Sequence, residues 1–306
     1  MTISGSRGRI ETAPAPLPPT RIGPRLFEWG SRTYVMGIVN VTPDSFSGDG
    51  LLAGSGSGSG AGSGAAAAVA AAVAQARRMV EEGADILDIG GESTRPGHEP
   101  VAAGEETARV VPVIAAIHAA LPDVPISVDS SKPPVAEAAI AAGASLVNDV
   151  WGVSADDAMV RLAAASDVPI VLMHNRAAPE YRDFAAELID DMRAAAERAI
   201  AAGVPRGHLI LDPGFGFGKT PEHNLVALRE LGRLRGLGLP VLLGTSRKST
   251  IGRVLGGLPP EERLEGTLAT TALAVAAGVD VVRVHDVRAN VRAARMADAI
   301  VRGADL

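Results

Sequence analysis

The sequence predicts an α/β protein folded as a single-domain (β/α)8 TIM barrel. Three observations carry that expectation. From residue 33 onward, a short β-branched or apolar run is followed by a stretch rich in Ala, Glu and Arg, and this alternation recurs eight times. Nearly every strand run is short and continuously apolar, as in a parallel sheet buried on both faces. No dinucleotide fingerprint follows the first strand, which weakens the competing doubly wound sheet, and units of about 30 residues favour the barrel.

The elements follow in order. Residues 1–25, rich in Pro, Arg and Thr without an apolar stretch, are expected to form a disordered tail, leaving 26–306 for the barrel. Leu26–Trp29 and Thr33–Val35, around Gly30 and Ser31, suggest a small hairpin before it. Strands are expected at Tyr34–Val39, Asp85–Ile89, Ile126–Val128, Ser145–Val150, Ile170–Met173, Leu209–Leu211, Val241–Leu243 and Val281–Val284. Helices are expected at Ala65–Glu82, Gly104–Ala120, Pro133–Ala142, Ser154–Ala165, Asp183–Ala202, Pro221–Leu234, Pro260–Ala277 and Arg288–Val301. Gly83, Gly143, Gly203 and Gly278 are placed to end four of these helices. The run Gly54–Gly64 (GSGSGSGAGSG) interrupts the pattern with a flexible linker composition.

Composition narrows the function. Of 306 residues, 47% are hydrophobic and 21% charged, enough for a large core. Twenty-nine basic against thirty-five acidic residues give a net charge of −6, so no general basic field draws nucleic acid or membrane. No run has the length and apolarity of a membrane span. Without cysteine, thiolate metal sites and cysteine nucleophiles are excluded, and the composition suits the reducing cytoplasm.

Barrel chemistry lies at the C-terminal strand ends. Here those ends carry Asn40, Asp88 with Glu92, Asp129, Asn148, His174, Asp212, Arg247 with Lys248, and His285. One polar strand end has little meaning, since loops need caps; eight in succession point to a site. Asp129, Asn148 and Asp212 offer acceptors and an amide suited to the N–H edge of a nitrogen heterocycle. Arg95, Lys248, Arg283 and His285 offer cationic donors suited to phosphate. The run Asp212–Thr220 imitates a phosphate loop, but Pro213 stands where that motif needs its first glycine.

Two segments, Asn40-Val41-Thr42-Pro43-Asp44-Ser45-Phe46-Ser47 and Gly90-Gly91-Glu92-Ser93-Thr94-Arg95-Pro96-Gly97, resemble the signature loops of the dihydropteroate synthase family. Val128-Asp129-Ser130, Val147-Asn148-Asp149, Leu172-Met173-His174, Asp212–Lys219, Ser246-Arg247-Lys248-Ser249 and Arg283-Val284-His285-Asp286 extend the resemblance in the family's order over about 34–302. The resemblance implies a (β/α)8 barrel. It also implies condensation of 6-hydroxymethyl-7,8-dihydropterin diphosphate with p-aminobenzoate, giving 7,8-dihydropteroate and pyrophosphate.

By position, the resemblance assigns the pterin to Asp129, Asn148, Met173, Asp212 and Lys248. Asn40 would ligate Mg2+ and meet the diphosphate with Thr94, Arg95, Arg283 and His285; Phe46, Pro96 and Ser249 would shape the p-aminobenzoate site. Of these, Asn40, Arg95, Asp129, Lys248, Arg283 and His285 are the expected catalytic set, and the family suggests a homodimer. This chain departs from the family pattern at Ser47-Gly48-Asp49-Gly50, at Asn175-Arg176-Ala177 and at His98. Two other readings stand beside the synthase: a catalytically impaired pterin-binding homologue, and a methyltetrahydrofolate-dependent corrinoid methyltransferase domain. The latter is not expected to carry the two signature loops.

Overall fold

The computed structural model describes residues 17–41, 61–92, 101–152 and 157–303. A short antiparallel pair, β1 (Thr20–Ile22) and β2 (Arg25–Phe27), precedes eight parallel strands. These are β3 (Tyr34–Asn40), β4 (Ile86–Gly90), β5 (Ile126–Asp129), β6 (Leu146–Asp149), β7 (Ile170–Met173), β8 (Leu209–Asp212), β9 (Leu242–Leu243) and β10 (Val281–Val284). They run in the order β8-β7-β6-β5-β4-β3-β10-β9. A bridge between Leu211 and Val241 joins the two ends, so the sheet closes on itself rather than lying open.

The helices surround the ring: α1 (Ala61–Glu81), α2 (Ala103–Ala120), α3 (Pro133–Ala141), α4 (Ala158–Ser166) and α5 (Phe184–Ala201) in the first half. α6 (Pro221–Arg229), α7 (Leu231–Arg235), α8 (Ser249–Val254), α9 (Leu264–Ala276) and α10 (Val287–Arg302) complete it. The four helix-ending glycines, Gly83, Gly143, Gly203 and Gly278, all have positive φ. Among the described residues no helix is long and apolar enough to cross a membrane.

Strand alternation divides the core in two. Outward residues such as Val35, Leu87, Val147 and Val282 pack with the helices. Inward residues Tyr34, Met36, Ile86, Leu146, Val171, Ile210, Leu242 and Val281 form a separate buried cluster inside the barrel. One inward step further along the chain, four strands turn polar together: Ile86 gives way to Asp88, Leu146 to Asn148, Ile210 to Asp212 and Val281 to Arg283. The site therefore rests on a packed apolar floor.

The N-terminal expectations need correcting. Residues 20–25 are not a disordered tail, because Ile22, Phe27 and Trp29 join the interior cluster and plug the N-terminal end of the barrel. Phe27 and Tyr34 pack with ring centroids 4.7 Å apart, and Trp29 Nε1 donates to Thr20 Oγ1 at 2.8 Å. The hairpin also lies earlier than expected, because Gly23, at φ +53°, supplies the left-handed residue of a two-residue turn before Pro24. Gly30 and Ser31 support only an isolated bridge between Trp29 and Arg32.

The helices also differ from expectation in several places. Helix α1 begins at Ala61 instead of Ala65, so the alanine-rich run draws the last residues of the Gly/Ser segment into the helix; its residues 54–60 lie outside the described residues. The expected helix at Pro221–Leu234 is broken at Glu230. Helix α8, which the expectation omitted, follows Lys248 directly.

Candidate active site

The polar inward residues and the strand ends above them form one pocket at the C-terminal mouth. Asp129, Asn148, Met173, Asp212, Lys248 and Arg283 line it together, with Val150, Phe217 and Gly244. Strands β5, β6, β7, β8 and β10 each contribute one assigned residue, which is why residues far apart in the chain converge.

Arg283 organises one wall. Its Nε donates to Asp88 Oδ2 at 2.5 Å, and its terminal nitrogen donates to Asp129 Oδ2. Asn148 Nδ2 donates to the same Asp88 oxygen at 3.1 Å. The second oxygen of Asp129, although buried, has no hydrogen-bond partner among the described residues. A buried acceptor left in this state suits an incoming N–H donor. Burial pushes the Asp129 carboxyl up to about 7, against the pull of Arg283.

Asp212 and Lys248 form the opposite side. Asp212 Oδ1 accepts the Gly214 N–H at 2.7 Å, and burial raises its pKa despite the nearby Lys248. Burial lowers Lys248 to about 8. The Lys248 ammonium donates to the Phe215 carbonyl and lies 4.4 Å from the Phe217 ring centroid, a cation–π distance.

Lys248 follows a strained residue. Arg247 has φ +59°, a left-handed conformation uncommon outside glycine. It is held there by a two-pronged contact with Asp286 and by Arg263, which donates to the Arg247 carbonyl at 2.8 Å. The strain turns the chain directly into α8, placing Ser249 at its exposed start.

At the rim, Asn40 ends β3 and His285 follows β10, and these two strands pair. The His285 N–H donates to Ser246 Oγ at 3.1 Å, while its Nδ1 lies 3.0 Å from the same hydroxyl. The structure thus gathers Asp129, Asn148, Met173, Asp212, Lys248 and Arg283 around the pocket, with Asn40, Ser249 and His285 on rim elements. Phe46, Thr94, Arg95, Pro96 and His98 lie outside the described residues.

One residue departs from the sequence reading. His174 does not face the mouth; it is fully buried, between Asp191 and Lys219. Arg283, to which the resemblance assigns the diphosphate, lies against Asp88 and Asp129 in the pocket wall. From the sequence, Asp88 is only one polar strand end among eight. Its inward position, between the outward Leu87 and Ile89, was the available signal of its role.

Sequence and structure comparisons agree with this geometry. The model of the pterin binding enzyme family matches residues 36–285, which defines the class. A dihydropteroate synthase of Clostridium beijerinckii is 50% identical over 283 residues, covering 92% of this chain and 99% of its own. A solved dihydropteroate synthase from Clostridium difficile, obtained in the presence of pteroic acid, superposes with a TM-score of 0.82 at 47% identity, covering 90% of this chain and 99% of that one. One from Xanthomonas albilineans, with 4-aminobenzoic acid, gives 0.83 at 44% identity, covering 93% and 98%. This chain belongs to the dihydropteroate synthase family.

Proposed function

We infer that this protein catalyses the dihydropteroate synthase reaction, with Asp129, Asn148, Asp212 and Lys248 holding the pterin. The observation that carries the assignment is the convergence of two buried carboxylates, one with an unpartnered oxygen, and a lysine in one pocket. Asp129 and Asp212 accept from the heterocycle's N–H edge, Asn148 and Lys248 meet its polar atoms, and Met173 packs against the ring.

The reaction breaks the C–O bond between the pterin methylene and the diphosphate and forms a C–N bond to the aminobenzoate amine. The amine loses one proton, and pyrophosphate leaves with the bonding electron pair. Asn40, at the end of β3, and His285, just after the adjacent β10, border the place where that charge develops. By resemblance, Thr94 and Arg95 join them, and Phe46, Pro96 and Ser249 form the aminobenzoate site. The buried wall of Arg283, Asp88 and Asp129 orients the pterin and keeps water from its inner face.

Asn40 is compatible with the implied Mg2+. It offers one neutral oxygen, and among the described residues no cluster of three histidines or carboxylates forms a complete metal cage. Magnesium often takes few protein ligands and completes its shell with water and substrate phosphates. When bound, it supplies neutralisation of the departing diphosphate.

We propose a homodimer joined through α9 and α10. Leu273, Met296 and Ile300 on these packed helices are 63%, 63% and 59% exposed, unusual for large apolar side chains. The cysteine-free composition favours a cytoplasmic location. Pyrophosphate release from pterin diphosphate, requiring both p-aminobenzoate and Mg2+, tests the reaction. Pterin binding without turnover would identify an impaired homologue.

A further inference from the structure

The loop between β8 and α6 carries the pocket residue Phe217 and is gripped by a lysine on each side. From the pocket side, Lys248 donates to the Phe215 carbonyl. From the other, Lys219 donates to the Phe217 carbonyl at 2.9 Å and to the His174 carbonyl at 3.0 Å. Its third contact is His174 Nδ1, at 2.9 Å. The three donors of one ammonium thus meet three acceptors, two in the segment after β7 and one in the loop.

The histidine is itself fixed. His174 Nε2 lies 3.0 Å from Asp191 Oδ2, which also accepts from Arg176 at 2.7 Å. With Lys219 donating to Nδ1, the ring is neutral and carries its proton on Nε2. Burial and the neighbouring Lys219 lower the His174 pKa to about 4, in agreement.

The backbones lie flush. A Cβ at Gly214 would come within 1.9 Å of the His174 carbonyl oxygen, and one at Gly218 within 2.3 Å of the Arg176 oxygen. Both glycines have positive φ. The contact admits no side chain, so its alignment depends on the groups that bridge it.

We propose that Lys219, braced by His174 and Asp191, is a positioning residue that sets Phe217 and the Asp212 turn for pterin binding. It acts through the loop rather than by touching substrate. The inference rests on the pterin site proposed above.

Lys219→Met keeps the length and removes all three bonds. Losing bonds to a charged group and misaligning the loop should raise the KM for pterin diphosphate about tenfold or more, with the p-aminobenzoate KM within about twofold. If that variant does not fold, Lys219→Gln, which retains an N–H donor, should give an intermediate rise. Tyr181→Phe removes a 2.8 Å bond to the Gly218 carbonyl on the same loop and serves as the control. It should lower Tm and leave pterin affinity unchanged.

Pterin affinity unaltered in a folded Lys219 variant overturns the proposal, as does an equal loss in Tyr181→Phe. Failure of the underlying site reading looks different: Asp212→Ala would then bind pterin normally.

Discussion

Arg283 on β10 and Asp88 on β4 form an ion pair across the strand that separates them, with Nε 2.5 Å from Oδ2. Asp88 is fully buried, and Arg283 reaches past it to Asp129. The pair makes Arg283, to which the resemblance assigns the diphosphate, part of the pocket wall.

Asp88→Ala leaves the Arg283 guanidinium with one carboxylate and Asn148 without its acceptor. Breaking a buried pair typically costs about 3–5 kcal/mol, so urea denaturation should show a loss of that order. Pterin affinity should fall as well, because both released groups line the pocket. Full stability and undiminished affinity would remove Asp88 from the site.

Asp212→Ala should weaken pterin binding by about 1.5–3 kcal/mol, the usual worth of a hydrogen bond to a charged group. Calorimetry with the diphosphate-free pterin measures it. A role confined to ordering the Gly214 turn predicts a lower Tm with unchanged affinity.

Asp129 makes a signed pH prediction. Its folded pKa, about 7, lies above the ordinary 3.8, so the folded state binds the proton more tightly than the unfolded chain. Its contribution to stability is complete below pH 3.8 and is lost as pH rises through about 7. Asp129→Asn should flatten this part of the stability profile. In the wild type, pterin affinity should rise over the same interval as the carboxylate acceptor forms.

Trp29→Ala tests the plug at the opposite end. Truncating a buried aromatic side chain costs about 3–5 kcal/mol, and the effect should appear in unfolding experiments with pterin affinity intact. An unchanged stability would mean that the N-terminal hairpin is dispensable.

Met296→Glu combined with Ile300→Glu places charge on the exposed face of α10. Light scattering should then report monomers where the wild-type protein forms dimers. A wild-type monomer, or a doubly substituted dimer, rejects this interface.

Sequence by itself determined the order of elements, the barrel and most of the pocket. Alternation of apolar runs with helix formers is local, and strand ends such as Asp129, Asn148 and Asp212 occupy positions that barrel topology turns toward one mouth. Tertiary structure decided which polar residues share a bond. Asp88 and Arg283 are separated by 195 positions, and no local pattern pairs them. His174 and Asp88 look alike in sequence as polar strand ends, yet one turns into the shell behind the pocket and the other into its wall. That Ile22, Phe27 and Trp29 plug the barrel follows the same rule: a short apolar segment becomes core only when a barrel end needs filling. Burial belongs to the assembled ring, and periodicity alone does not contain it.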